Sequence, residues 1–321
     1  MTKKRKYHFF FYLRPEEIIS LFFLLLLITI FFYYRVNIFH YHHLPIYLLL
    51  YAGPIIAFYY LLKYVFCSAD KKLHFKLVVK KIIIFFRDWI PIILVIFIYN
   101  AIHDTTHLIN SKEMDSLLIK IDKFLFFGHH PTLFFEKLIN PYLSYYTFFI
   151  YDFYLWLYPL TLTIFYLRKN KKIFHQLVLT MTIALYLGLI GYLIVPCKGP
   201  VLAQRNLYSC DLFGRQDFTY THSLAQLYIY QRYAFHCFPS LHTTLSTIFL
   251  FFILRFSSSK ILRLLYLIIV PSIWFATLYL RWHYLIDIIA GFLLAYLSIY
   301  LGFKIGQFWQ RKSLIKANEK T

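Results

Sequence analysis

The chain has 321 residues, of which 60% are hydrophobic and 22% aromatic, and its formal net charge is +20. A soluble domain of this length needs more polar surface to cover its core, so the composition excludes an ordinary soluble globular fold. The basic residues fall in short clusters between apolar runs and form no single stripe, which argues against nucleic-acid binding. The four cysteines include no Cys-x-x-Cys pair, so they predict neither a disulfide framework nor a metal or redox centre.

Eight apolar segments recur along the chain, each close to the length that crosses a hydrocarbon core of about 30 Å as a helix. Helices satisfy their own backbone hydrogen bonds in lipid, so we predict an all-α, polytopic membrane bundle of about eight transmembrane helices. The first segment lacks a cleavage site and is expected to be retained. The sixth is the shortest, and we expect it to begin partly buried in protein. The predicted spans lie near Ile18–Tyr34, Leu44–Leu62, Ile83–Ala101, Tyr145–Leu167, Phe174–Val195, Leu241–Leu254, Leu262–Leu280 and Ile286–Phe303.

The positions of the basic residues predict the orientation of these spans. With both termini in the cytoplasm, the inner side holds 24 of the 34 Lys and Arg residues, as the positive-inside rule requires. The chain then divides into three N-terminal spans, an outer interfacial or re-entrant segment, a bundle that carries three polar motifs, and a basic cytoplasmic tail. The predicted bounds of these four parts are 1–101, 102–144, 145–303 and 304–321.

One polar motif opens the eighth span. His283 and Asp287 are four residues apart, so they share one face of a helix. A carboxylate in that position accepts the imidazole Nδ1–H, which fixes the tautomer and leaves Nε2 free to act as a nucleophile. A charged Asp at the edge of a span also requires a partner. The alternative is an interfacial His and Asp that cap a helix in headgroup water.

A second motif opens the sixth span. His242 follows Pro239 and Ser240, which favour the N-terminus of a helix. Such an end offers free backbone N–H groups and a positive dipole, both suited to a phosphate oxygen. Ser240 could add a hydroxyl donor, and His242 could protonate a departing oxygen as a general acid.

Three cations lie on the same outer side. Arg281 lies two residues before His283 and can bind phosphate oxygens bidentately. Lys198 and Arg205 follow the fifth span and would add positive charge to the same pocket. The positive-inside rule predicts basic residues on the cytoplasmic side, so it does not account for these three cations on the outer side.

Together these residues resemble the type 2 phosphatidic acid phosphatase superfamily, whose motifs read Lys-x6-Arg-Pro, Pro-Ser-Gly-His and Ser-Arg-x5-His-x3-Asp. Lys198 and Arg205 have the spacing of the Lys-x6-Arg-Pro motif, but Asn206 replaces its proline. Residues 239–242 match the second motif with Leu in place of Gly. Residues 283–287 match the end of the third motif.

The departures resemble one branch of that superfamily. The third motif's arginine position is Thr277 here, and Arg281 lies two residues before the histidine instead. This short Arg-x-His, the FPSLH sequence and the Gly-Tyr-x3-Pro-x2-Gly-Pro stretch of residues 191–200 look like the inositol phosphorylceramide synthases and their bacterial relatives. The resemblance covers roughly residues 120–303, and the first three spans contribute no motif to it.

The resemblance implies a six-helix phosphatase-like core and a ping-pong phosphotransfer that needs no metal or other cofactor. His283, oriented by Asp287, would attack phosphorus and form a phosphohistidine. His242 would protonate the leaving alcohol. The implied substrate is a lipid phosphoester in the outer leaflet. The motif variants favour transfer to a lipid alcohol over hydrolysis of a lipid phosphate or polyprenyl pyrophosphate.

Other polar residues admit weaker hypotheses. His103 and His107 have a spacing that could bind zinc, although the third ligand and a catalytic Glu are not evident. Asp152 lies within the fourth span, so it could line a substrate cavity or pair with a neighbouring tyrosine. A disulfide could join two of the three outer cysteines, which are Cys197, Cys210 and Cys237.

Two questions of class and location remain open in the sequence. A transporter is the alternative of another class, but we find no internal repeat, and the polar residues gather at one face of the membrane. For location we predict a bacterial inner membrane with the site on the periplasmic face. A Golgi-type membrane would be topologically equivalent.

Overall fold

A computed structural model describes residues 13–34, 58–59, 74–103, 106–168, 171–210, 212 and 236–318. The second predicted span, Leu44–Leu62, lies outside these residues apart from positions 58 and 59. Within the described part of the chain the regular structure is helical, without strands.

Eight of the described helices have ten or more residues. They are α1 (Pro15–Tyr34), α2 (His74–His103), α3 (Asp115–Leu125), α4 (Pro141–Tyr166), α5 (Lys172–Ile194), α6 (Leu241–Phe256), α7 (Lys260–Tyr279) and α8 (Leu285–Asn318). Short helical turns also occur at Thr106–Ile109, Pro131–Phe134, Phe135–Leu138, Pro200–Ala203 and Arg205–Leu207.

Six of these helices, α1, α2, α4, α5, α7 and α8, are long and apolar enough to cross a membrane. They coincide with six of the eight predicted spans. The sixth predicted span is α6, whose 16 residues make it shorter than a full crossing. Six of its apolar side chains are buried, and Phe249 and Phe252 are fully covered. Because α6 is enclosed by protein, its length need not match the thickness of the bilayer.

Helix α5 lies at the centre of the bundle. It packs against α8, α6 and α4 on one side and against α1 and α2 on the other. Its buried face is correspondingly broad, and Phe174, Val178 and Leu189 are completely covered. Helix α8 crosses the bundle and continues to Asn318, so the segment predicted as a basic tail extends a membrane helix.

A charged network joins α1 and α2 to the start of α5. Arg14 Nη2 donates to Asp88 Oδ1 over 2.7 Å, and Arg87 Nε donates to Glu17 Oε1 over 2.7 Å. His175 Nδ1 lies 2.9 Å from Arg14 Nη1. Carboxylates in an apolar surrounding require such partners. The network thereby holds the two N-terminal helices against the bundle, about 30 Å along α5 from its other end.

The predicted interfacial segment is partly a helix with a specific packing role. Helix α3 is amphipathic, and its buried residues are Asp115, Leu118 and Asp122. Exposed apolar side chains, including Phe124, lie on the opposite side. Helix α3 contacts α8 and covers the end of the bundle where α5 finishes and α8 begins.

Candidate active site

Three chain segments meet at this end of the bundle. The first is the loop after α5, the second is the start of α6, and the third is the turn between α7 and α8. Ser240 N–H donates to the Asp287 carbonyl over 3.1 Å, which ties α6 to α8. Gly199 lies so close to the third segment that a Cβ atom there would be 2.6 Å from the Trp282 carbonyl oxygen.

His283 is buried at this junction, and both of its ring nitrogens have partners. Nδ1 lies 3.0 Å from the Cys237 carbonyl oxygen and 3.4 Å from Asp287 Oδ2. Two acceptors around Nδ1 favour the tautomer with its proton there. Nε2 then holds the lone pair, and it lies 3.5 Å from Nδ1 of His242. The two imidazoles therefore face each other, with the lone pair of His283 Nε2 directed at the His242 ring.

Asp287 is completely buried on the first turn of α8. Its Oδ2 accepts hydrogen bonds from the Tyr284 backbone N–H over 2.8 Å and from the Cys237 thiol over 2.7 Å. Its Oδ1 has no hydrogen-bond partner among the residues that the structure describes. The carboxylate is thus fixed by the turn that carries His283 and by Cys237, which lies four residues before the first residue of α6.

His242 lies between aromatic rings of α4. The centroids of the Tyr151 and Tyr154 rings are each 4.4 Å from the imidazole centroid, and Tyr151 is stacked on it. The Tyr154 hydroxyl donates to the Leu241 carbonyl. Aromatic walls hold the plane of the imidazole and leave its edge directed at His283.

Ser240 caps α6. Its Oγ accepts hydrogen bonds from the Thr243 backbone N–H over 3.3 Å and from the Thr243 hydroxyl over 3.2 Å. The residue is fully buried. The structure therefore places this predicted phosphate donor as an N-cap, and a helix N-terminus begins one residue before His242.

Arg281 occupies an unusual backbone position. It follows α7 with φ 63°, a left-handed conformation that costs a non-glycine residue about 1–2 kcal/mol. Its side chain is buried, with the guanidinium 3.7 Å above the Tyr208 ring. Nη1 donates to the Cys210 carbonyl over 3.0 Å, and Nη2 donates to Glu136 Oε1 over 3.1 Å. The structure thus gives Arg281 a carboxylate counterion.

The other two predicted cations lie in the loop after α5. The Lys198 ammonium group contacts the Glu113 carboxylate, and the Lys198 backbone N–H donates to Asp115 Oδ2 over 2.9 Å. Arg205 is exposed in a short helical turn. The structure therefore brings His242, His283 and Asp287 into one cluster, while Lys198 and Arg281 are each paired with a glutamate.

Comparison with known families identifies the group to which these residues belong. A family model described as the PAP2 superfamily matches residues 116–301, which is more than half of the chain. The chain belongs to the PAP2 superfamily. Neither the comparison with curated proteins nor the one with solved structures finds a match. Family membership and the apolar helices are consistent with a membrane lipid phosphatase.

The match covers α3 to α8, so α1 and α2 are additions to the PAP2 part of the chain. Thr277, at the superfamily's usual arginine position, is buried on α7. Its carbonyl accepts the backbone N–H groups of Trp282 and His283 over 3.1 and 3.2 Å. These two hydrogen bonds close the turn after α7 and fix the backbone orientation of His283.

The other residues for which the sequence predicts a role either lie away from this cluster or have side chains that the structure does not describe. Asp152 is exposed on α4, although the adjacent Tyr151 stacks on His242. The side chains of His103 and His107 lie outside the described part of the chain. Cys197 and Cys237 are free thiols buried in one cluster, and Cys210 is also free.

Two carboxylates for which the sequence predicts no role support the site from α3. Asp122 accepts the Leu285 and Ile286 backbone N–H groups at the start of α8, each over 2.8 Å. Asp115 accepts the Gly199 N–H over 3.0 Å and the Tyr284 hydroxyl over 2.8 Å. The two residues are seven apart on an amphipathic helix, so both point at the bundle. That spacing is the only sequence signal for them.

Burial changes the titration of these carboxylates. Desolvation raises the pKa of Asp122 to about 6, although the two backbone hydrogen bonds oppose the shift. Burial likewise raises the pKa of Asp115, against the hydrogen bonds from Lys198, Tyr284 and Gly199. The supports of α8 and of the loop after α5 are thus acidic groups that desolvation makes harder to ionise.

Proposed function

We propose that this PAP2 superfamily member is a membrane phosphotransferase that acts on a lipid phosphoester through a phosphohistidine on His283. One observation carries the proposal. Nε2 of His283 faces Nδ1 of His242 at 3.5 Å, and its other ring nitrogen faces the Cys237 carbonyl and Asp287. An imidazole held in this way presents a lone pair toward a second imidazole, which suits attack and protonation on opposite sides of one phosphorus.

In the first half-reaction, Nε2 of His283 forms a bond to phosphorus as the bond from phosphorus to the lipid oxygen breaks. His242 gives its proton to that oxygen, which leaves as an alcohol. Asp287 stabilises the positive charge that develops on the imidazole of His283. In the second half-reaction, an acceptor hydroxyl gives its proton to His242 and takes the phosphoryl group, which frees His283.

The substrate must separate the two imidazoles. Attack begins at about 3 Å, the scissile bond is about 1.6 Å long, and a hydrogen bond to the leaving oxygen adds about 2.8 Å. The two nitrogens would then be roughly 6–7 Å apart, about twice their present separation of 3.5 Å. His242 is the partner expected to move, because it is only partly buried and the stacked tyrosine rings fix its plane without blocking motion within that plane, whereas His283 is fixed at Nδ1.

Positive charge around the phosphate would come from the protein itself. Arg281 is the proposed bidentate ligand of the phosphate oxygens, assisted by Lys198 and Arg205 and by the N-terminal end of α6 at Ser240. Each fixed donor directed at developing negative charge contributes several kcal/mol in a water-poor site. An incoming phosphate would compete with Glu136 and Glu113 for these cations.

The acceptor and the location follow from the sequence variants. We propose a lipid alcohol as acceptor, and a phosphoryl headgroup as the group transferred, because FPSLH and the short Arg-x-His resemble the inositol phosphorylceramide synthase branch. Hydrolysis of a lipid phosphate is the second candidate, favoured by membership of the PAP2 superfamily. We place the site on the periplasmic face of a bacterial inner membrane, since the basic clusters predict cytoplasmic termini.

The experiment is a lipid panel with the purified protein in detergent. The panel contains phosphatidic acid, a polyprenyl pyrophosphate, and phosphatidylinositol with ceramide or diacylglycerol as acceptor, and both released phosphate and new lipid are followed. We expect turnover by the parent protein, and a loss of at least about 100-fold in His283→Ala and His242→Ala. His129→Ala is the matched control, because this histidine is exposed in a loop, and it should retain full activity.

A labelled substrate tests the intermediate directly. Rapid quenching in alkali should trap label on the parent protein and none on His283→Ala, since phosphohistidine survives alkali and is lost in acid. Activity in His283→Ala equal to that of the parent would overturn the assignment of the nucleophile. New lipid without free phosphate would identify transfer, and free phosphate alone would identify hydrolysis.

A further inference from the structure

Cys237 lies beside His283 and Asp287, which we call the dyad, and all three side chains can bind a metal ion. Cys237 Sγ lies 2.7 Å from Asp287 Oδ2 and 3.6 Å from His283 Nδ1, and those two atoms are 3.4 Å apart. All three side chains are buried. A thiolate, an imidazole and a carboxylate are the three ligand types that bind zinc in proteins.

The spacing of these atoms is close to that of a zinc site. With zinc bonds of about 2.3 Å to sulfur, 2.05 Å to nitrogen and 2.0 Å to oxygen, a tetrahedral ion places its ligand atoms about 3.3–3.6 Å apart. The separations of Nδ1 from the sulfur and from the carboxylate oxygen already meet this requirement. Only the contact between Cys237 and Asp287 must lengthen, by about 0.8 Å, once the thiol proton that bridges them is gone.

A second observation points to an ion at this position. Asp287 Oδ1 is buried and accepts no hydrogen bond within the described residues, so half of the carboxylate lacks a partner. A buried oxygen of this kind carries a large desolvation cost. The buried Cys197 side chain packs in the same cluster as Cys237, so a second sulfur lies close to the three ligands.

We propose that Zn²⁺ binds Cys237, His283 and Asp287 and inhibits the enzyme reversibly. Binding displaces the thiol proton of Cys237, which leaves to solvent. The single N–H proton of the neutral His283 ring moves from Nδ1 to Nε2, and the metal binds the lone pair that this leaves on Nδ1. His283 then has no lone pair at the nitrogen that faces His242. The binding claim stands on the ligand geometry alone, whereas the inhibition claim rests on the proposed function.

Cobalt is the probe for binding, because Co²⁺ takes zinc sites and absorbs light when a thiolate binds it. We expect the purified full chain, stripped with EDTA, to take up one Co²⁺ with a thiolate-to-cobalt band that Zn²⁺ removes. Cys237→Ser should lose the band. Cys210→Ser is the matched control, since its thiol lies outside the set, and it should keep the band. A band of equal intensity in Cys237→Ser would overturn the site.

X-ray absorption at the zinc edge covers the case in which Cys237→Ser fails to fold, because it uses the parent protein. We expect one or two sulfur atoms at about 2.3 Å together with nitrogen or oxygen ligands. A first shell without sulfur would overturn the proposal.

An activity assay separates the two claims. Micromolar Zn²⁺ should abolish lipid turnover in the parent and in Cys210→Ser, and EDTA should restore it. If the cobalt band appears but turnover persists with the metal bound, the inhibition claim is wrong and His283 is not the nucleophile. If no lipid in the panel is turned over, the cobalt and absorption results still decide the binding claim.

Discussion

Replacing Gly199 by Ala tests how closely the loop after α5 fixes the dyad. Gly199 has φ 86° and ψ 163°, a region that is essentially restricted to glycine. An added Cβ would also lie 2.6 Å from the Trp282 carbonyl oxygen and 3.3 Å from Cys237 Sγ. Trp282 immediately precedes His283, so the contact acts on the backbone that carries the proposed nucleophile.

The magnitude has two parts. The backbone conformation alone costs an alanine about 1–3 kcal/mol. Relief of the contact with Trp282 requires a backbone shift of roughly 0.7 Å, since real Cβ contacts with oxygen lie beyond about 3.3 Å. A displacement near 1 Å at a reacting group reduces the rate by about 100-fold. We therefore expect Gly199→Ala to fold with reduced stability and to lose between about 10-fold and 100-fold in kcat.

Gly128→Ala separates the two parts. Gly128 also has positive φ, at 87°, but an added Cβ there meets no atom within 4 Å. This variant should lose about 1 kcal/mol of stability and keep its kcat. Both variants would be measured for lipid turnover and for unfolding in mixed micelles of SDS. A kcat for Gly199→Ala equal to that of Gly128→Ala would refute the claim that this loop positions His283.

Three further changes probe other supports. Asp122→Asn should flatten the pH dependence of the unfolding free energy. Because the pKa of Asp122 is raised to about 6 in the folded protein, protonation of this residue stabilises the fold by about 3 kcal/mol below about pH 4, and this stabilisation is lost as the pH rises through 6. A parent protein with the same SDS unfolding curve at pH 4.5 and 7 would contradict this. Arg281→Lys keeps the charge but loses the planar guanidinium and its stacking on Tyr208, so kcat should fall by about 10-fold to 100-fold in the lipid assay. Asp88→Asn breaks the buried pair with Arg14 and should cost about 2–3 kcal/mol of unfolding free energy. Its kcat per folded molecule should match that of the parent.

The helices were predictable because lipid imposes a length. Each of the six membrane-length helices contains or overlaps a predicted span, since an apolar run must cover about 30 Å whatever its neighbours are. The shortness of α6 was also visible in the sequence. The extension of α8 to Asn318 was not, because Lys and Arg favour a helix in water as well as a disordered tail.

The dyad was predictable because its geometry is local. His283 and Asp287 are four residues apart, and Ser240 caps the helix that presents His242, so short-range rules suffice. The partners of the cations were not predictable from local rules. Arg281 meets Glu136 across 145 positions of the chain, and Lys198 meets Glu113 across 85. A pattern of basic residues indicates charge, but the fold decides which carboxylate neutralises it before a substrate arrives.

The supports of the site share one physical cause. The start of α8 leaves backbone N–H groups without partners inside its own helix, and here they lie against α3. Asp122 satisfies two of them from α3, and Asp287 satisfies the Tyr284 N–H beside them. This helix end therefore needs buried acids for structural reasons, and one of them, Asp287, also contacts His283. Asp287 satisfies a backbone N–H group and also contacts His283 four residues before it, so its role can be predicted from the sequence. Asp122 satisfies only backbone N–H groups of another helix, so its role could not be predicted in this way.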